Sequence, residues 1–436
     1  MRSPRARFAL VFVLAFVIYN ANGRLISTGD AYAARAIPFA IWLHGTLALD
    51  PLDELVTQAH PTPYWKFPAL DGSTASLFPI VTPVAVTPLY APVIVAGHRL
   101  GWNQPRLEAA ARVMEKLSAS LIASLAVALF WLVARRVAPE PTAWTVTMAL
   151  AFATSTWTIS SQGLWTHGLG EVLVAASLLM VLSGCTSRRA IIVGFALGLM
   201  VVNRPQDVFL AAGLGLFAWV WAGRGAARAE LVIGGLVAAV PFVAYNIDNF
   251  AHPVGAYAVA IPDPFILAPG FWTGLAGLLI SPARGLFVFS PWLIAVPVGV
   301  WLWWRRAEYR LLVACLLGAV VSQVLFYSMV DWKAGYSYGP RFLTDMAPML
   351  AFLAIPAVQG ASDAGRLLLA AALVVSVSVQ VIGAWRYTGT SNVFYDAEPT
   401  WSQAWVVGNT QWVLEARNPR QPADLIHQVR RFVRGE

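Results

Sequence analysis

The chain is poor in charged residues and in cysteine. Asp, Glu, Lys and Arg make up only 12% of its 436 residues, whereas 58% are hydrophobic. A soluble domain carries roughly 25% charged residues, so too little charge is present to cover a soluble globule of this size. The two cysteines, Cys185 and Cys315, cannot build a thiolate metal site, and their positions argue against a disulfide between them.

Basic residues exceed acidic ones, and the formal net charge is +8. These residues are scattered between apolar runs and form no basic domain, so nucleic acid is not the predicted partner. Orientation in a lipid bilayer explains their distribution better. We therefore predict an all-α polytopic membrane protein.

Apolar stretches predict about eleven transmembrane helices, because each is long enough, or nearly so, to cross a bilayer. They lie at about 8–22, 107–134, 142–159, 168–184, 189–204, 206–223, 229–247, 285–304, 309–330, 342–358 and 366–385. The first stretch lacks a convincing signal-peptide cleavage site and is interpreted as a retained span. The predicted membrane domain is 1–386, with a first outer loop at about 23–106, and 387–436 forms a short outer-face tail.

The stretch at 79–101 is apolar but carries four prolines. If it does not span and the N-terminus is cytoplasmic, every inside connection carries at least one Arg, as the positive-inside rule requires. These connections are 1–7, 135–141, 185–189, 224–228, 305–310 and 359–366. We predict a proline-broken segment that lies at the outer face or re-enters it. Long irregular loops then gather on the outer face, which is the predicted functional side.

Two kinds of charged residue stand out on that face. Asp30 opens an amphipathic stretch, GDAYAARAIPF, where an N-cap and a functional carboxylate are equal alternatives. Four basic residues break the positive-inside trend at the outer ends of spans. Each alone could extend to the membrane surface, but together they suit a phosphate at headgroup depth. They are Arg204, Arg284, Lys333 and Arg341.

Further candidates for substrate binding lie in three outer segments. QGLWTHGLGE brings Trp165, His167 and Glu171 together, although a helix N-terminus also favours an acid. The other two segments are DWKAGYSYGPR and LALDPLDE, where an interfacial aromatic belt and a solvated turn are the simpler explanations. They contain Asp331, Tyr336, Tyr338 and Asp50. The remaining histidines lack paired spacing, so no metal site is predicted, and no GxxxxGK[ST], HExxH or GxSxG motif occurs.

These features together resemble the GT-C class of integral-membrane glycosyltransferases, near the aminoarabinose transferases and protein O-mannosyltransferases. The shared pattern is one span, an outer loop opening with an acid and an amphipathic helix, and a proline-rich apolar helix before the second span. The likeness covers about 5–386 and is strongest at 27–50 and 281–345.

The resemblance implies inverting transfer of a sugar from a polyprenyl-phosphate donor to a glycan, lipid or protein acceptor of the cell envelope. Asp30 matches the proposed catalytic base of the class. Many relatives carry Asp-Glu there, but Ala31 follows Asp30 here, which leaves the use of a divalent cation open. Assigning the donor phosphate to the four basic residues, Arg284 and Arg341 first, is our inference.

A transporter or flippase of a lipid-linked or anionic solute is the main alternative. It would favour polar groups at mid-membrane and two similar halves, and the sequence shows neither. A non-catalytic subunit for envelope synthesis is a third interpretation. The tail ends in an amphipathic stretch, ADLIHQVRRFVR, predicted to lie on the membrane surface or to cover the site.

Overall fold

The computed structural model describes residues 3–52, 63–184, 186–223, 225–260 and 270–434. Within these residues most of the chain is helical, and a two-stranded antiparallel hairpin pairs Phe67 with Ala75. Parts of two predicted outer loops, 53–62 and 261–269, lie outside the described residues, as do Cys185 and Arg224. Cys315 is buried and forms no disulfide with any described residue.

The described part of the first half contains nine α-helices and the hairpin. In chain order they are α1 Pro4–Asn20, α2 Gly29–His44, β1 Lys66–Pro68, β2 Thr74–Ser76, α3 Val81–Arg99, α4 Gln104–Val137, α5 Glu140–Phe152, α6 Thr166–Val181, α7 Ser187–Asn203, α8 Val208–Trp221 and α9 Ala226–Phe250.

The described part of the second half adds ten α-helices and several 3-10 turns. The helices are α10 Ala256–Ala260, α11 Phe271–Ile280, α12 Leu286–Phe289, α13 Ala295–Trp304, α14 Arg310–Ser328, α15 Ala347–Gln359, α16 Asp363–Arg386, α17 Thr390–Asp396, α18 Gln411–Ala416 and α19 Asp424–Arg434.

Five helical segments of the described chain are long and apolar enough to cross a membrane. Four match predicted spans, namely α4, α9, α16 and the segment Ala307–Ser328 that contains α14. These features fit an all-α membrane protein. The other predicted spans correspond to shorter helices, such as the 13-residue α5 and α15, so the total of about eleven stays a prediction.

The fifth long apolar segment corrects the prediction for 79–101. The structure has one continuous helix, α3, with Pro88 and Pro92 inside it, so the prediction of a proline-broken segment is wrong. Packing on α2 outweighs the backbone hydrogen bonds that the prolines remove. The Trp42 indole donates to the Thr87 carbonyl at 3.1 Å, and the buried Tyr90 ring packs edge-on against α2.

Polar contacts show which connections share an end of the helix bundle. At one end Arg7 pairs with Glu140 at 2.5 Å, which joins two predicted inside connections. At the other end of α1, the buried Lys116 ammonium of α4 donates to the carbonyls of Tyr19 and Ser161 at 2.8 and 3.1 Å. The contact between Arg7 and Glu140 and the contacts of Lys116 therefore lie at opposite ends of α1. Which end faces the cytoplasm stays a prediction.

Buried charge in α4 differs from the sequence-based expectation that the spans carry almost none. Glu115 and Lys116 fall inside the predicted span at 107–134 and are buried. The 34 residues of α4 measure about 51 Å at 1.5 Å per residue, well beyond a hydrocarbon core of roughly 30 Å. The excess length packs against α2, where Glu115 accepts a hydrogen bond from the Ser27 hydroxyl at 2.6 Å.

Candidate functional site

Asp30 lies in the first turn of α2 and makes two side-chain contacts. The N-cap position belongs to Thr28, so Asp30 is not the N-cap. Its Oδ1 accepts a hydrogen bond from the Tyr64 hydroxyl at 2.8 Å, and its Oδ2 pairs with Arg341 Nη1 at 2.6 Å. Burial raises the pKa of Tyr64, and the nearby charge of Asp30 raises it further. The phenol therefore stays protonated and donates.

A cavity of about 160 Å³ opens beside this pair, between α2, α3, the first turn of α6 and the last turns of α7 and α14. It brings together five residues predicted for the site, Asp30, Trp165, His167, Arg204 and Arg341. Much of the remaining lining is apolar, from residues that include Phe78, Pro79, Pro83, Phe326, Val330 and Phe342. We call this space the first cavity. A charged end and an apolar wall suit an amphipathic ligand.

Arg204, at the end of α7, is a buried charged residue that lines the first cavity. Its guanidinium forms an ion pair with Asp345 and donates to the Tyr327 hydroxyl at 2.6 Å. His167 Nδ1 contacts the same Asp345 oxygen at 2.7 Å, and the imidazole also touches Arg204. Both basic residues are fixed by one fully buried carboxylate.

The sequence analysis missed Asp345. It falls inside the predicted span at 342–358, but α15 begins only at Ala347, and a 3-10 turn at Arg341–Leu343 precedes it. An acid at the start of an apolar run could have indicated it, because acids buried at membrane depth are rare and are functional candidates by default.

Arg341 lies at the mouth of the first cavity. Its guanidinium stands 4.9 Å from the centre of the Trp165 ring and reaches the Ala334 carbonyl at 3.4 Å. This geometry holds the guanidinium over an aromatic face while its Nη1 contacts the carboxylate of Asp30. The contact joins two residues 311 positions apart in the chain.

Two further acids are buried behind the first cavity. Glu171 Oε1 accepts hydrogen bonds from Thr156 and Ser160 at 2.9 and 3.2 Å, so this predicted site residue does not line the cavity. Asp207 accepts a hydrogen bond from the Gln323 amide at 3.1 Å. Within the described residues, one oxygen of each acid has no hydrogen-bond partner.

The other two predicted phosphate ligands line a separate space, which we call the second cavity. It has a volume of about 220 Å³ and is lined by Arg284, Asp331, Lys333, Ala334, Gly335, Tyr336, Asn392, Asp396 and Trp401. The four basic residues therefore do not meet at one point but divide two and two. Asp331 and Tyr336 also belong to this cavity and not to the first.

Arg284 is buried and holds the loop that separates the cavities. Its guanidinium donates to the Gly335 carbonyl at 2.6 Å, to the Asn392 amide oxygen at 2.9 Å and to the Ser337 hydroxyl. On the other side, a Cβ at Gly335 would stand 2.4 Å from Arg341 Nη2. Residues 333–337 are thus held between two guanidinium groups, and the φ of +80° at 335 favours glycine there.

The remaining candidates lie outside both cavities. Asp50 is exposed beside the hairpin, where the Thr74 amide donates to it at 2.8 Å and holds the pKa of its carboxyl below the usual range. Tyr338 is buried, donates to the Val379 carbonyl at 2.7 Å and packs on Phe289. These contacts support the fold, so neither residue touches the candidate site.

No model of a known protein family matches the chain, and no curated protein matches its sequence. Within the described ranges, no group of three or more His, Cys, Asp or Glu side chains is arranged to hold a metal ion. The candidate function therefore depends on the two cavities and on the charges around them.

Proposed function

We propose that the protein is a glycosyltransferase of the cell (inner or plasma) membrane, with a cytoplasmic N-terminus and its site on the outer face. It moves a sugar from a polyprenyl-phosphate donor to a cell-envelope acceptor. The observation that carries the proposal is the first cavity, where a carboxylate, Asp30, faces two guanidinium groups, Arg204 and Arg341, beside an apolar wall. A prenyl phosphate has the matching parts, an anionic head and an apolar chain.

The residues divide the chemistry between them. Asp30 takes the proton of an acceptor hydroxyl, whose oxygen forms a bond to the anomeric carbon of the donor sugar. The bond between that carbon and the phosphate oxygen breaks, and the electron pair leaves with the polyprenyl phosphate. Attack opposite the leaving group inverts the anomeric centre. Arg204 and Arg341 stabilise the charge that develops on the phosphate.

The second cavity takes the acceptor in this proposal. It adjoins the first across Ala334, which lines both. Its lining combines an amide, two carboxylates, a phenol and two cations, groups that bind the hydroxyls of a sugar. Lys333 Nζ stands 5.7 Å from the centre of the Trp401 ring. Lys333→Met should raise the KM for the acceptor and leave the KM for the donor unchanged.

Release of polyprenyl phosphate is the direct test, because it follows donor cleavage whatever the acceptor is. The full-length protein is reconstituted in vesicles with a polyprenyl-phosphate sugar and a cell-envelope extract as the acceptor source. Asp30→Asn should lower the release rate by roughly 10²–10⁴-fold, the usual size of general-base assistance. Asp71→Asn is the matched control, since Asp71 is an exposed acid of the same outer loop that does not line the first cavity. Full activity in Asp30→Asn would refute the assignment of the base.

The buried acids favour one alternative, a transporter or flippase of a lipid-linked or anionic solute. Glu171, Asp207 and Asp345 place carboxyl groups inside the helix bundle, where proton-coupled transporters use such residues. Exchange of a labelled polyprenyl-phosphate sugar across vesicles, with no release of polyprenyl phosphate, would support this function over sugar transfer.

A further inference from the structure

The last described helix, α19, has three stripes that repeat with the same spacing of three and four residues. Leu425, Gln428 and Phe432 form the first stripe and are buried or half-buried. The second stripe is apolar and exposed, with Ile426 at 51%, Val429 at 44% and Val433 at 70%. The third is exposed and carries imidazole and guanidinium groups, from His427, Arg430 and Arg434. Residues three and four apart share one face of a helix, so each stripe is one face.

Contacts with the rest of the protein fix which face points inward. The Leu425 amide donates to the Gly23 carbonyl at 2.8 Å, at the outer end of α1. The Phe432 ring packs edge-on against Trp102, with ring centres 4.6 Å apart. The first stripe is therefore attached to the protein along the helix, and the apolar and basic stripes face away from it.

The surface beside α19 continues both exposed stripes. Trp102 lies against Gly97 near the end of α3, because a Cβ at Gly97 would stand 2.5 Å from the indole. Leu100, in the turn between Gly97 and Trp102, is 69% exposed. His98 and Arg99 beside it are also exposed. Apolar and basic side chains thus occur together on two neighbouring elements. None of the residues of α19 lines either cavity, so the helix does not cover the candidate site.

We propose that α19 binds the surface of a bilayer that contains anionic phospholipid. The apolar stripe enters the boundary between headgroups and acyl chains, and the basic stripe pairs with headgroup phosphates. An exposed apolar face beside a basic face is the pattern of a helix that lies in the membrane interface. The occupant is a bilayer because the same chain has five helical segments able to cross one, and the charge beside the apolar stripe is complementary to anionic lipid.

The test follows the depth of one position in the full-length protein. Val433→Cys, in a background with Cys185→Ser and Cys315→Ser, carries an environment-sensitive fluorophore, and the protein is reconstituted in two kinds of vesicle. One contains phosphatidylcholine alone, and the other also contains phosphatidylglycerol. Brominated acyl chains should quench the label more strongly in the vesicles with phosphatidylglycerol, and high salt should remove the difference. Val407→Cys, at an exposed valine of the same tail outside α19, is the reference position.

Charge is tested by two double variants that remove the same net charge. Arg430→Gln with Arg434→Gln should reduce the ratio of lipid-bound to free α19 by at least about tenfold in phosphatidylglycerol vesicles. Arg417→Gln with Arg420→Gln, two exposed arginines that precede α19, should leave it unchanged. The proposal would be overturned if the label at 433 were not quenched in either kind of vesicle. It would also be overturned if quenching were the same with and without phosphatidylglycerol, or if the Arg430 and Arg434 substitutions did not change it. Quenching that changes with protein density in the vesicle would also overturn it, since a second copy would then be the occupant.

Discussion

Replacing Asp345 by Asn should destabilise the protein strongly. Asp345 is fully buried and contacts both Arg204 and His167, and within the described residues it is the only carboxylate paired with Arg204. Removing one partner of a buried pair leaves the other charge uncompensated, which costs about 3–5 kcal/mol. The amide keeps the volume of the carboxyl group, so a cavity does not contribute to this loss.

The assay is reversible unfolding by SDS in mixed micelles, followed by tryptophan fluorescence. Asp345→Asn should lower the free energy of unfolding by about 3–5 kcal/mol, and combining it with Arg204→Gln should restore part of the loss, because the isolated charge is then gone. Asp363→Asn is the control, since its pair with Arg366 is exposed and its loss should not be measurable. Wild-type stability in Asp345→Asn, or strictly additive losses in the double variant, would refute this account of the pair.

Three other substitutions test the packing around the site. Gly170→Ala should destabilise the protein in the same SDS assay, because the new Cβ would stand 2.4 Å from Asp345 Oδ1 and 3.2 Å from Asp207 Oδ2. Gly318→Ala is the control: its Cβ would meet nothing within 4 Å, so the substitution should be neutral or stabilising. Tyr64→Phe removes one of the two contacts of the Asp30 carboxylate and should lower polyprenyl phosphate release by less than Asp30→Asn does. Lys116→Met removes hydrogen bonds to two carbonyls and should speed proteolysis at the outer end of α1, so an unchanged cleavage rate would contradict its role as an anchor.

The sequence predicted the helical character of the chain, because that depends on local composition; the side of the membrane on which each loop lies stays a prediction. Runs of apolar residues mark the helices, and paired arginines mark one end of them. The same reasoning placed Asp30 and Arg341 on one side of the membrane. Their contact at 2.6 Å agrees with that placement, although no sequence pattern predicts a specific pair 311 residues apart.

The prediction was wrong where packing overrides local propensity. The prolines of α3 indicated a break, but the buried Tyr90 and the contact between Trp42 and Thr87 keep the helix continuous. The separation of the basic residues into two cavities was also not predictable. It depends on the path of residues 333–337 between Arg284 and Arg341, which only the tertiary structure shows.

That path is a wall shared by the two cavities. Arg341 touches Ala334 from one side, and Arg284 touches Gly335 from the other. A ligand that draws Arg341 away from Ala334 therefore changes the wall of the second cavity as well. If such a ligand alters the affinity of the second cavity by some factor, occupancy of the second cavity must alter the affinity of the first by the same factor. Binding of the two substrates would then be cooperative in either order, through residues 333–337 as well as through their own contact at the reacting atoms.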